Sequence, residues 1–258
     1  MMEATVRQTV LYNTIYKRKK RLPLSAHDRR KSLYQAVSAH LLTSNSAGAA
    51  YLHCIKDGTN IDLGCGTGEF LVKFLKDGFT CIGVDISEVM LEIARDKTKE
   101  SSDIELYQGD IRKFRTEKPA EYIVCNFDTV NYFDKFSDLE DFLDCSYENL
   151  TEDGILIFDV VTEEIFDEMF ENGVFLDEKE NYLTIWRYDK EGENYIINIK
   201  LFIREKENLF RNYEEVHVKT IFDLEEIANK ALETGFDIVD IRNDEEFGEN
   251  RFFFILKK

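Results

Sequence analysis

In 258 residues the chain has two prolines, one tryptophan and four histidines, and nowhere the roughly 18 consecutive apolar residues that a membrane-crossing helix requires. The histidines (His27, His40, His53, His217) are scattered, so no metal-ligand spacing is present and no metal is expected. The five cysteines form no CxxC pair, and Cys65, Cys81 and Cys125 fall in or beside apolar runs. That usage fits reduced thiols in a reducing compartment. Positive charge is also scarce: 33 Lys and Arg face 51 Asp and Glu, for a net charge of -18. Phosphate contacts need a basic surface, so the balance argues against a general nucleic-acid binder. The N-terminal "MMEATVRQTVLYNTIYKRKK" lacks the apolar core and small-residue cleavage site of a signal peptide, and a cytoplasmic location is the expectation. One stretch runs against the acidic trend. Lys17 to Lys31, "KRKKRLPLSAHDRRK", holds eight basic residues, read as a solvated helix face or, alternatively, a patch that meets an anionic group.

With 43% hydrophobic and 33% charged residues, the chain has the composition of a soluble globular protein. Its length suits one large domain or a domain with an insertion. Residues 1–56 are expected to be helical, with Leu33, Tyr34, Val37, Leu41 and Leu42 at a 3.6-residue period. From Gly58 short apolar runs alternate with helical patterns. "TNIDL", "TCIGVD", "DIELYQGD", "EYIVCNF" and "GILIFDVV" read as strands; "EFLVKFLKDG", "SEVMLEIARDKTKE" and "SDLEDFLDCSYENL" read as the helices between them. Ser87 stands at a helix start, and Ser137 with Glu140 forms a capping-box pattern. Such alternation predicts βαβ units and a parallel sheet covered on both faces. After Asp159 the period changes to two. Three runs between Asn181 and Lys219 predict a three-stranded antiparallel insertion, after which a helix ended by Gly235 and two more strands complete seven strands in the main sheet.

The chemistry centres on "NIDLGCGTGEFLVKFLKDGFTCIGVD", Asn60 to Asp85. A strand, a glycine-rich turn and a helix bring backbone N–H groups against a ligand. A dinucleotide site would read GxGxxG, whereas Gly64, Gly66 and Gly68 are spaced GxGxG. A P-loop would follow the last glycine with Lys-Ser or Lys-Thr, where Glu69-Phe70 stands instead. Carboxylates on both sides, Asp62 and Glu69, disfavour phosphate and suit an ammonium or a sulfonium. Asp85, ending the second strand, is placed to accept ribose hydroxyls. Asp110 of "YQGD" is within reach of an adenine amino group if adenosine lies across the strand ends.

These residues resemble the class I S-adenosylmethionine-dependent methyltransferases, whose successive motifs are matched by "IDLGCGTG", "GVDIS" and "GDI" from about Gly58 to Val161. The resemblance implies a Rossmann-like doubly wound, seven-stranded, mostly parallel sheet with an N-terminal helical lid. It divides the chain into a lid at 1–56, a cofactor core at 57–161 and 221–258, and a β insertion at 162–220 over the substrate pocket. It also implies S-adenosyl-L-methionine as cofactor and S-adenosyl-L-homocysteine as product. Asp62, Gly64, Cys65, Gly66 and Gly68 would hold the methionine portion and Asp85 the ribose. Ile86, Met90 and Ile111 would surround the adenine, Asp110 would meet its amino group, and Asn126 and Phe127 would line the sulfonium end. Tyr16 would belong to the closing lid.

"FDTVNYF", "IFDVV" and the insertion resemble a subgroup that includes small-molecule, amino-sugar and peptide-tailoring methyltransferases. The expected acceptor is a small molecule or short peptide, most simply an amine, taken by a monomer or homodimer without nucleic acid or membrane. Candidate catalytic residues are Asp159, Tyr132 and Asp128, at the crevice where a doubly wound fold places ligands. Asp159 could instead cap the helix near Thr162, and Tyr132 could be a packing residue. Trp186 and Arg30 are candidate acceptor contacts, with sheet packing and a solvated face as their ordinary readings. Methylation of a hydroxyl or carboxylate, and a cofactor-binding regulator without turnover, remain alternatives.

Overall fold

The computed structural model describes residues 58–206, 209–244 and 248–258. The expected helical lid, with Tyr16, Arg30 and the basic Lys17–Lys31 stretch, lies outside the described residues. Strands β1 (Thr59–Leu63), β2 (Thr80–Asp85), β3 (Ile104–Gln108), β4 (Ala120–Cys125) and β5 (Leu150–Val161) are parallel. They alternate with helices α1 (Glu69–Lys76), α2 (Glu88–Thr98) and α3 (Phe136–Asn149). After the insertion come α5 (Leu224–Thr234), β10 (Asp237–Asp244) and β11 (Gly248–Lys257). The seven strands lie in the order β3-β2-β1-β4-β5-β11-β10, with β11 antiparallel to both its neighbours. β1 is almost entirely buried, as a central parallel strand covered on both faces must be. One core forms around Ile61, Leu63, Ile123, Phe142, Phe158 and Phe254.

Local signals explain the helix boundaries. The Ser87 hydroxyl accepts from the Met90 amide at 3.4 Å, and Asp223 accepts from the amides of Glu225 and Glu226 at 2.8 and 3.0 Å. Gly235, at φ 111°, ends α5 in the left-handed region. The capping box expected at Ser137 does not form. α3 begins one residue earlier, at Phe136, with extended Lys135 as its cap and no side-chain capping bond. Its first turn is held instead by Asp138, whose carboxylate pairs with Arg112 at 2.8 Å.

Between β5 and α5 lie the short helix α4 (Glu164–Met169) and a second sheet of β6 (Val174–Lys179), β7 (Tyr182–Glu191), β8 (Asn194–Lys206) and β9 (Leu209–Thr220), in that order and antiparallel. The three strands read from the sequence are β7, β8 and β9. The fourth, β6, has too short an alternation to stand out from "VFLDEK" alone. The inner face of this second sheet carries Phe175, Trp186, Tyr195, Ile197 and Ile199, which close over Phe166 and Phe170 from α4 and its C-terminal end. Trp186 is therefore a core residue, buried edge-on against Phe175 at a ring separation of 5.8 Å, rather than an open contact for an acceptor.

Candidate active site

The glycine turn sits at the C-terminal end of β1, where the Gly64 and Cys65 amides both donate to the Val84 carbonyl, at 2.8 and 3.0 Å. Two of its glycines are required for different reasons. At Gly64, φ is 78° and a Cβ would stand 2.7 Å from Thr129 Cγ2, so the loop after β4 touches this bend directly. At Gly66, φ is 53° and a Cβ would meet nothing within 4 Å, so the bend is open on that side. Asp85 ties the bend to the next helix: its Oδ2 accepts from the Gly66 amide and its Oδ1 from the Ser87 amide, each at 2.8 Å. A carboxylate oxygen has two lone pairs, so both atoms retain capacity for hydroxyl donors. Burial raises the Asp85 carboxyl above its usual range, while the two amide bonds pull it back. Asp62 is buried beneath the bend. Burial first, and the neighbouring Asp85 charge second, push its carboxyl up to about 7.

Along the strand tips from Asp85, Ile86 is 74% exposed, an unusual setting for an isoleucine and one that offers apolar surface beside Asp85. Met90 follows in the first turn of α2, half-buried, and Ile111 is buried in the core cluster. Asp110, just after β3, is gripped by Arg112 through its side chain at 2.6 Å, which holds the Asp110 carboxyl below the ordinary range. Cys65, in the turn, is a buried free thiol raised by burial, as are Cys81, Cys125 and Cys145.

The loop after β4 joins these parts. Phe127 and Asp128 both have positive φ, at 65° and 51°, costly for residues that are not glycine. Phe127 rests edge-on against Phe70 of α1 with ring centres 5.4 Å apart, and the Asn126 side-chain oxygen is buried without a partner. The strained turn is fastened by charge. Asp128 pairs with Lys219 at 2.6 Å and Arg251 at 2.8 Å, and its carbonyl accepts from Lys219 at 2.9 Å. These cations offset the cost of burying Asp128 and hold its carboxyl far below the usual range. Asp159 Oδ2 accepts from the Asp128 amide at 3.0 Å and from Arg251. Asn131, fully buried, donates to the carbonyls of Val161 (3.3 Å) and Thr220 (2.8 Å) and accepts from the Val161 amide (3.0 Å). It thereby staples together the two chain segments that lead into and out of the insertion.

The structure thus brings Asp128, Tyr132 and Asp159 together, but in unlike settings. Tyr132 is 48% exposed, and its hydroxyl lies 2.8 Å from His217 Nδ1. Asp159, only 1% exposed and engaged by Arg251, lies beneath the loop, and it caps no helix. Sequence reasoning missed Asn131, His217, Lys219 and Arg251. The one signal for Lys219 is parity: with Glu215 and His217 it occupies the inward-facing set of β9, where a lone lysine demands a buried acid.

An adenosyl sulfonium fits this arrangement: an open bend, a buried carboxylate under it, a second carboxylate at the β2 tip and an orphaned amide oxygen at the β4 tip. Fold and site together define a class I methyltransferase. A methyltransferase domain pattern matches residues 61–154. GWCH70_2453 of Geobacillus sp. (strain WCH70), assigned to the methyltransferases, is 30% identical over 77% of this chain and 83% of its own. The dTDP-3-amino-3,4,6-trideoxy-alpha-D-glucopyranose N,N-dimethyltransferase of Streptomyces venezuelae is 28% identical over 63% of this chain and 68% of that one. The crystal structure of a S-adenosylmethionine-dependent methyltransferase from Clostridium acetobutylicum ATCC 824 superposes with a TM-score of 0.72 at 19% identity, covering 90% of this chain and 99% of that one. The chain belongs to the S-adenosylmethionine-dependent methyltransferase family, and S-adenosyl-L-methionine is its cofactor.

Proposed function

We propose that this enzyme methylates an amine nitrogen of a small molecule, an amino sugar being the most concrete acceptor class. The supporting observation is the charge and character of the loop after β4. Lys219 and Arg251, the cations packed around it, are both spent on Asp128 and Asp159, and Glu215 adds a further negative charge nearby. Such a surface disfavours a carboxylate acceptor and tolerates a cationic one. The similarity to a dTDP-amino-sugar N,N-dimethyltransferase points the same way.

In this reading Asp62 and the Gly64–Gly68 bend hold the methionine portion of the cofactor, and Asp85 holds the ribose. Ile86, Met90, Asp110 and Ile111 enclose the adenine, while Asn126 and Phe127 border the sulfonium. S-adenosylmethionine held by these residues would supply an electrophilic methyl group on its sulfonium for in-line transfer to the acceptor nitrogen. The protein contributes alignment and exclusion of water, and orientation of this kind lowers barriers by about 7–11 kcal/mol. Tyr132 faces the acceptor. Asp128 and Asp159 act through the loop they fasten, as positioning residues.

Incubating the full chain with methyl-labelled S-adenosylmethionine and matched amines, alcohols and carboxylates, dTDP-amino sugars among them, tests the proposal. Label is expected on amines. Label confined to oxygen acceptors overturns the amine reading.

A further inference from the structure

We infer that His217, oriented by Glu215 and reached through the Tyr132 hydroxyl, receives the proton that an amine must lose before its lone pair can attack. The inference rests on the amine reading above and adds to it the route by which the proton leaves.

The three groups come from separate parts of the chain: Tyr132 from the turn after β4, Glu215 and His217 from the inward-facing parity of β9. His217 Nε2 lies 3.3 Å from Glu215 Oε2, and Nδ1 lies 2.8 Å from the Tyr132 hydroxyl. A carboxylate accepts only, so Nε2 carries the hydrogen that faces Glu215 and Nδ1 carries the lone pair. Tyr132 therefore donates to Nδ1, which leaves its oxygen to accept from a donor on the open side of the ring. Lys219 Nζ lies 3.1 Å from the centre of the Tyr132 ring, and that cation is itself fixed by Asp128, which also holds Arg251. The charged and titratable groups facing the pair are thus Glu215, Lys219, Asp128 and Arg251. The turn that carries Tyr132 also touches the glycine bend. Tyr132 stands three residues beyond Thr129, the residue against which Gly64 packs.

The proton transfer balances without a further reagent. The N–H bond of the acceptor ammonium breaks and its proton goes to the Tyr132 oxygen, while the original hydroxyl proton moves to His217 Nδ1. The products are a neutral amine, an unchanged phenol and an imidazolium beside Glu215. His217 is partly exposed, so the proton passes on to solvent, and a second methylation can use the same route.

Two measurements on the full chain test this. Nitrogen NMR of the imidazoles should place the hydrogen of the neutral His217 ring on Nε2, and Tyr132→Phe should shift the Nδ1 signal. A hydrogen on Nδ1 in the wild type overturns the relay whatever the acceptor is. With the best amine from the labelled panel, His217→Gln should lower kcat by about 100-fold or more and leave KM for S-adenosylmethionine within about twofold. The deficit should shrink by about tenfold for each unit of pH gained below the amine's own pKa, because solvent then removes the proton. A deficit that is the same at every pH, or an unaltered kcat, overturns the inference. If the wild type labels no amine, the amine reading fails separately and the imidazole spectrum alone decides the relay.

Discussion

Asp62 shows how one side chain couples ligand, proton and stability. Its carboxyl is pushed up to about 7 in the folded protein, above an unfolded value near 3.8. The native state therefore holds this proton more tightly than the unfolded chain, so the group's contribution to stability is greatest below about pH 4 and is lost as pH rises to about 7. A cationic ligand needs the opposite form, the carboxylate. Affinity for S-adenosylmethionine should fall by about tenfold per pH unit below about 7, and Asp62→Asn should flatten that slope; isothermal titration between pH 5.5 and 8 measures both. The glycines separate similarly. Gly66→Ala meets open space, so only its φ is penalised, at about 1 kcal/mol. Gly64→Ala adds a clash with Thr129 and should lose more stability than Gly66→Ala while also weakening cofactor binding, as read by thermal denaturation with and without S-adenosylhomocysteine. If Gly64→Ala is the milder of the two, the close packing of the loop against the bend is wrong.

At the scale of elements, the strands and helices around the cofactor were legible because each carries its own periodicity and punctuation: β1 and the GxGxG turn, Ser87 before α2, Gly235 after α5. The loop after β4 was legible only in part. "CNFDTVNYF" marks the place, but its shape depends on Lys219 and Arg251, which arrive from β9 and β11 and are over 90 residues away. No local pattern in the chain encodes that meeting. Asp159 shows the same limit: a carboxylate at a strand end looks available until the arginine opposite it is known. Lys219→Met would leave the buried Asp128 with a partner removed, and the expected loss is about 3–5 kcal/mol. Asn131→Ala would orphan the Val161 amide and the carbonyls of Val161 and Thr220, each costing about 1–3 kcal/mol. Chemical denaturation reads both, and an Asn131→Ala protein as stable as the wild type would show that the staple contributes nothing.

For the whole molecule, a net charge of -18 means self-repulsion, while exposed ion pairs such as Arg95–Glu88 are individually weak. Raising salt from about 10 mM to about 1 M shortens the Debye length from about 30 Å to about 3 Å, so the melting temperature should rise. A fall would mean that surface pairs outweigh repulsion. The same charge was readable from composition, as were the seven main strands from alternation. The acceptor was not, because the side proposed for it joins the β4 loop to β9, elements that meet only in three dimensions. The most direct test of the account is a crystal structure with S-adenosylhomocysteine. The account predicts the amino-acid end over Asp62 and the Gly64–Gly68 bend, the ribose hydroxyls on Asp85, and sulfur directed toward the loop bearing Tyr132. Adenosine bound away from the β1 and β2 tips, or a ribose that leaves Asp85 untouched, would contradict it.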